Sequence, residues 1–132
     1  MTRRIAVKAI GLSAVLTVMT TGLPAVAQSQ MTVAQFLEIG QDIPRNRAAA
    51  MLRSETRQLI RVATSAVNQI KAEQASAEKA GRRPATCIPS TGTGITPETL
   101  VARFEGMPVS RRNLTVTQAI REWMVERYPC RG

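Results

Sequence analysis

The amino-terminal segment constrains this chain most, because it has the layout of a secretory signal peptide. Three basic residues precede a nearly uncharged apolar run over 9–23, and an Ala-Val-Ala tripeptide ends at Ala27. We therefore predict that 1–27 is a signal peptide and that cleavage leaves Gln28 as the first mature residue. The remaining residues, 28–132, have room for a single domain.

An uncleaved membrane anchor is the alternative interpretation of this leader. The apolar run is shorter than the roughly 20 residues that a spanning helix needs, and Gly22 and Pro24 end it. No cysteine stands near the cleavage point, which argues against a lipoprotein. We expect a bacterial protein that is exported to the periplasm, or alternatively secreted, without a membrane span in its mature form.

The chain has two cysteines, Cys87 and Cys130, and both lie in the predicted mature part. Export to an oxidising compartment predicts that they form a disulfide bond. The alternatives are a reactive thiol or a zinc site. Zinc usually takes four ligands, and the sequence offers neither a histidine nor a third cysteine. We expect no metal and no cofactor.

The mature chain is basic, since fifteen Lys or Arg residues against nine Asp or Glu give a net charge of +6. The basic residues are scattered among acidic ones and are not interleaved with aromatic residues, so we expect no nucleic-acid partner. A solvated basic surface is one interpretation of this charge. Attraction to an acidic partner or to the anionic cell envelope is the other.

Capping signals and hydrophobic spacing predict an all-α fold, a small bundle of four to five helices closed by the disulfide. Thr32 and Gln35 form a capping-box signature, so a first helix should start at Val33 and end at Gly40 with a left-handed cap. Proline suits a first helical turn, which predicts a second short helix over 44–52.

The longest helix should start after Ser54 as its N-cap. Apolar residues then recur at steps of three and four and predict one buried face: Leu59, Ala63, Ala66, Val67 and Ile70. Beyond Lys71 the apolar pattern weakens, and we expect the helix to continue into solvent until Gly81.

The segment 81–96 is rich in Pro, Gly, Ser and Thr, which predicts the main loop of the domain. Thr96, followed by a proline, should be the N-cap of a helix that ends at Gly106. A second capping-box signature at Thr115 predicts a last helix, which Pro129 ends.

The sequence offers little for catalysis. Without histidine, a Ser-His-Asp or Cys-His site is excluded. The only lysines of the mature chain, Lys71 and Lys79, lie on the polar end of the long helix, where the desolvation that activates a lysine is not expected. The glutamates have spacings typical of exposed helix faces. We therefore expect a protein that is not an enzyme.

The C-terminal part, over 87–130, resembles the Rap/Tai family, the periplasmic immunity proteins of type VI secretion amidase effectors. The resemblance rests on these segments: Cys87-Ile88-Pro89, Ile95-Thr96-Pro97-Glu98, Leu100 to Phe104, Met107-Pro108, Ala119-Ile120 and Tyr128-Pro129-Cys130. Family members often carry a further cysteine pair in the N-terminal half, and residues 28–86 have none. The resemblance implies a helical fold and the inhibition of a peptidoglycan amidase by direct binding.

Two classes of function follow. The first is an immunity-like inhibitor that gains its affinity from a few buried anchors, for which the loop over 86–95 is the candidate contact. The second is a stand-alone periplasmic helper, such as a small helical stress chaperone or an envelope-associated structural protein. A homodimer that buries additional apolar surface is compatible with the small number of aromatic residues, although the pattern does not require it.

Overall fold

The computed structural model describes residues 30–131, so the predicted signal peptide and the cleavage site at Ala27 and Gln28 lie outside the described residues. The helices are α1 (Val33–Gln41), α2 (Arg47–Met51), α3 (Ser54–Lys79), α4 (Pro97–Glu105) and α5 (Val116–Arg127), with a 3-10 helix at Val109–Arg111. Residues 30–131 contain no strand, and Thr32 and Thr115 form an isolated antiparallel bridge. The predicted all-α fold with one disulfide is confirmed.

Three helices begin with a threonine N-cap in a reciprocal capping box. Thr32 pairs with Gln35 and Thr115 pairs with Gln118, as the sequence predicts. Thr96 caps α4, and here the hydroxyl of Thr99 takes the place of the usual glutamate or glutamine. These local signals satisfy main-chain N–H groups that a helix leaves without partners in its first turn.

Two predicted boundaries in the N-terminal part are wrong. The first helix continues past Gly40, because the N–H of Asp42 bonds back to the carbonyls of the preceding turn without a left-handed residue. The second helix begins at Arg47 instead of near Pro44. Its N-cap is Asn46, whose side-chain oxygen accepts a hydrogen bond from the N–H of Ala49 at 3.2 Å.

The long helix also differs from its prediction at both ends. Ser54 is its first residue and not its N-cap, which is Arg53. The Ser54 hydroxyl donates to the carboxylate of Glu55 and does not cap a main-chain N–H group. The last turns do not extend freely into solvent, since Ala77 is buried there. The helix ends at Lys79, and Gly81 follows with a φ of +67°, a left-handed conformation that glycine adopts without strain.

The core lies where α3 and α5 pack together, with α1 and α4 covering it. Phe36 of α1 and Phe104 of α4 meet edge to face with ring centroids 5.3 Å apart. The largest fully buried side chains are Phe104, Ile70, Ile120, Met124, Val33 and Val116. By contrast, none of the residues of α2 is buried. None of the described helices combines the length and the apolar character that crossing a bilayer requires.

The starts of α1 and α5 are joined through their main chains. The N–H of Val33 donates to the carbonyl of Leu114 at 2.9 Å, and the N–H of Val116 donates to the carbonyl of Met31 at 2.8 Å. The N–H of Ala34 donates to the carbonyl of Arg112. Each helix therefore uses the chain that leads into the other as an acceptor for its first N–H groups.

Candidate functional site

The predicted disulfide fixes the loop between α3 and α4. Cys87 and Cys130 are bonded with their Cα atoms 5.0 Å apart, so the cysteine prediction is confirmed. The N–H of Cys87 also donates to the carbonyl of Tyr128 at 2.9 Å. The loop is thus held to the end of α5 by one covalent bond and one main-chain hydrogen bond.

A single side chain of α3 holds the residues on both sides of Cys87. The amide of Gln74 accepts from the N–H of Ile88 at 2.8 Å and donates to the Ile88 carbonyl at 3.2 Å. The buried hydroxyl of Thr86 donates to the same Gln74 oxygen at 3.3 Å. Ile88 itself is only 7% exposed and belongs to the core, so main chain and side chain are both fixed.

The other end of the loop rests on Tyr128. Its phenolic hydroxyl donates to the carbonyl of Thr93 at 3.0 Å. Next to it, Gly94 has a φ of +69°, and a Cβ there would lie 2.9 Å from the guanidinium of Arg127. A side chain at this position would therefore be strained by its backbone conformation and would displace the end of the Arg127 side chain. We call residues 86–95, which these contacts fix at several points, the clamped loop.

The middle of the clamped loop faces solvent. Pro89 to Gly92 form a turn that is closed by a hydrogen bond of 3.0 Å from the Gly92 N–H to the Pro89 carbonyl. Ser90 and Thr91 occupy the two central positions, and both are exposed. The loop therefore presents a small polar tip, residues 89–92, on fixed supports.

An ion pair lies beside the clamp. Arg121 of α5 donates two hydrogen bonds to the carboxylate of Glu73, at 2.7 and 3.0 Å. This contact holds the pKa of Glu73 below its usual range, against the opposing effect of desolvation. Because Glu73 precedes Gln74 on α3, the pair fixes α3 against α5 at the level of the clamp.

Two further ion pairs link α5 to its neighbours. Arg103 of α4 bonds to Glu126 at 2.6 Å and lies over the ring of Trp123, 5.7 Å from its centroid. Arg111 of the 3-10 helix bonds to Glu122 at 2.7 Å. Arginines from two neighbouring elements, α4 and the 3-10 helix, are therefore each paired with a glutamate of α5.

Two glutamates in the first turns of helices, Glu55 and Glu98, have lowered pKa values. Hydrogen bonds from their own main-chain N–H groups hold the pKa of Glu55 and that of Glu98 below the usual range. Nearby arginines act in the same direction: Arg53 and Arg57 on Glu55, and Arg47 on Glu98. Both glutamates are ordinary first-turn residues, where a negative charge favours the helix dipole.

Two other features of the described residues bear on a functional site. No group of three or more potential metal ligands occurs within 30–131. A shallow groove lies between α1 and the 3-10 helix, lined in part by Leu37, Val109 and Arg112. The guanidinium of Arg112 is already bonded to the carbonyls of Met107 and Glu105, at 3.0 and 2.7 Å. The clamped loop is accordingly the most distinctive feature for recognition.

Sequence reasoning missed Gln74, although a signal for it exists. The buried stripe of α3 continues from Ile70 through Gln74 to Ala77 at steps of four and three. A glutamine that stands where the stripe calls for an apolar residue indicates a polar partner inside the fold. The partner, Ile88, is fourteen positions away and cannot be read from the pattern.

Comparison of the chain with protein-family models, with curated protein sequences and with solved structures gives no significant match. The Rap/Tai resemblance therefore stays a prediction from the residues that carry it.

Proposed function

We propose that the mature chain is a non-enzymatic periplasmic binding protein that inhibits a peptidoglycan amidase by direct contact through the clamped loop. One observation carries the proposal: a loop with an exposed tip is fixed by a disulfide, by Gln74 and by Tyr128. A loop that is already ordered loses little conformational entropy when it binds, so more of its contact energy appears as affinity.

The shape of the tip agrees with insertion into an enzyme cleft. Pro89, Ser90, Thr91 and Gly92 have small side chains or none, and the turn is closed by its own hydrogen bond. A narrow tip of this kind can enter a substrate cleft without rearrangement, and its hydroxyl and main-chain groups can replace the hydrogen bonds of a substrate. Larger anchors would come from the flanks of the loop.

The test is an affinity capture from the organism's own periplasm, with the exported protein as bait and washes at low and high salt. We expect one cell-wall amidase to survive the high-salt wash in a stoichiometric complex, and its activity on peptidoglycan to fall when the bait is added. Recovery of many proteins that all disappear as salt rises would contradict the proposal. That result would support a stand-alone helper, such as a stress chaperone or an envelope-associated structural protein.

A further inference from the structure

We propose that the corner formed by α2 and the start of α3 docks on an anionic lipid surface. We call residues 45–61 the basic corner. They contain one acidic residue, Glu55, and five arginines: Arg45, Arg47, Arg53, Arg57 and Arg61. Their net charge is +4, and the nearest preceding acidic residues in the sequence are Glu38 and Asp42.

The arginines of the basic corner form no salt bridge within residues 30–131, and the carboxylates near them are those of Glu55, beside Arg53 and Arg57, and of Glu98, near Arg47. Within residues 30–131, the three salt bridges engage Arg103, Arg111 and Arg121. Arg57 and Arg61 are four residues apart and therefore share one side of the start of α3, and Arg53 is the N-cap residue directly before that helix. A guanidinium binds a phosphate oxygen pair with two parallel hydrogen bonds, which suits phospholipid headgroups.

Exposed apolar side chains stand among these charges. Leu52 is 80% exposed and Met51 is 52% exposed, at the turn where α2 ends. The guanidinium of Arg57 donates to the Leu52 carbonyl at 3.3 Å, so a positive charge lies directly beside the apolar turn. Ile60, 42% exposed, follows on α3 between Arg57 and Arg61. Apolar side chains ringed by arginines are the pattern of a surface that inserts shallowly between anionic headgroups.

Two features favour a lipid over a protein partner. The apolar turn projects into solvent, and a bilayer accepts a projecting side chain without a preformed pocket. Protein interfaces usually combine arginines with buried aromatic anchors, and the basic corner contains no aromatic residue. A second copy of this chain is disfavoured, because a symmetric contact would bring two corners of +4 together.

The test is co-sedimentation of the exported protein, its N terminus determined by mass spectrometry, with vesicles of phosphatidylcholine alone or mixed with phosphatidylglycerol. We expect binding to the mixed vesicles only. Replacing Arg53 and Arg57 by Gln should weaken it about 30-fold, at about fivefold for each arginine. Leu52→Ser should weaken it about tenfold without a change of charge.

Two matched controls separate the corner from the rest of the molecule. Val109 is also 80% exposed and lies outside the corner, so Val109→Ser should bind like the wild type. Replacing Arg111 and Arg121 by Gln removes the same two charges from ion-paired positions and should leave most of the binding. Equal losses of vesicle binding from the two double variants would overturn the proposal, because the net charge of the protein alone would then explain the binding. Retention on immobilised polyglutamate without vesicle binding would overturn it in favour of an acidic protein partner.

Discussion

The Gln74 side chain bonds to both the N–H and the carbonyl of Ile88, at 2.8 and 3.2 Å, and thereby acts as a strand-like partner for a single loop residue. No strand lies beside this loop within residues 30–131, so the helix supplies the pairing that a sheet would otherwise give. The main-chain N–H and carbonyl of Ile88, a core residue of the clamped loop, therefore obtain their hydrogen bonds from this one amide.

Replacement of Gln74 by Leu should therefore destabilise the fold. It leaves the main chain of Ile88 and the hydroxyl of Thr86 without their partner, and each unpaired buried group costs about 1 to 3 kcal/mol. Because three groups lose this partner, we expect the free energy of unfolding, measured with urea, to fall by about 3 kcal/mol or more. Gln69 of the same helix bonds only to the exposed Glu73, and Gln69→Ala should cost less than about 0.5 kcal/mol. Equal losses of unfolding free energy for the two variants would show that the hydrogen bonds of Gln74 to the loop do not stabilise the fold.

Removal of the disulfide should cost more. Cys87 and Cys130 are 43 positions apart, and closing a loop of that length stabilises the fold by about 4 kcal/mol through the entropy of the unfolded chain. We expect the double replacement by Ser to lower the urea midpoint strongly and to make it insensitive to reductant. The wild type should approach the same midpoint when reductant is added. A midpoint of the wild type that does not respond to full reduction would contradict this role of the bond.

The ion pair between Glu73 and Arg121 should make the free energy of unfolding depend on pH. The pKa of Glu73 is lowered from 4.5 in the folded protein, so the pair contributes fully above that value and its contribution is lost as pH falls through the lowered folded pKa. The contribution should be at most about 1 kcal/mol, because both side chains are partly exposed to solvent.

The measurement for this pair is urea unfolding from neutral to strongly acidic pH. Glu73→Gln should be less stable than the wild type at neutral pH, and the difference should disappear in acid. Arg121→Gln should show the same loss and the same disappearance, since it removes the principal cause of the pKa shift. A difference that is constant across the pH range would mean that packing, and not the charge, is responsible.

The tip of the clamped loop should tolerate a bulky side chain in the free protein but not in a complex. Ser90 is exposed at the centre of the turn, so Ser90→Arg should leave the unfolding midpoint unchanged. If the tip enters an amidase cleft, the same variant should lose at least about 2 kcal/mol of binding free energy, about 30-fold in Kd. Ser110→Arg adds the same side chain at an exposed position of the 3-10 helix and should bind like the wild type. Equal affinity of both variants would show that binding does not use the tip.

Helix starts were predictable from the sequence where two side chains three residues apart form a reciprocal capping box. The boxes at Thr32 and Thr115 are of this kind, and both occur where the pattern places them. Gly40 and Pro44 misled the prediction because a backbone preference is weaker than the hydrogen bonds that the neighbouring residues make, as Asn46 does for α2.

The position of the candidate loop and its disulfide were predictable from the sequence, but the hydrogen bonds that fix the loop were not. Two cysteines in a chain that carries a predicted signal peptide indicate a disulfide bond, and the structure joins them. The contacts of Gln74 with Ile88 and of Tyr128 with Thr93 span 14 and 35 positions. These contacts depend on the packing of α3 against α5, which no local sequence pattern encodes. For the same reason the sequence predicted that the polar end of α3 lies in solvent.

The bridge between Thr32 and Thr115 bears on the order in which the chain can fold. A chain is delivered from its N terminus, so α1 is available first and α5 last. The first N–H groups of α1 need the carbonyls of Arg112 and Leu114 as acceptors. The first helix to appear must therefore wait, or stay frayed at its start, until almost the whole chain has been released, which makes completion of the domain a late and cooperative event.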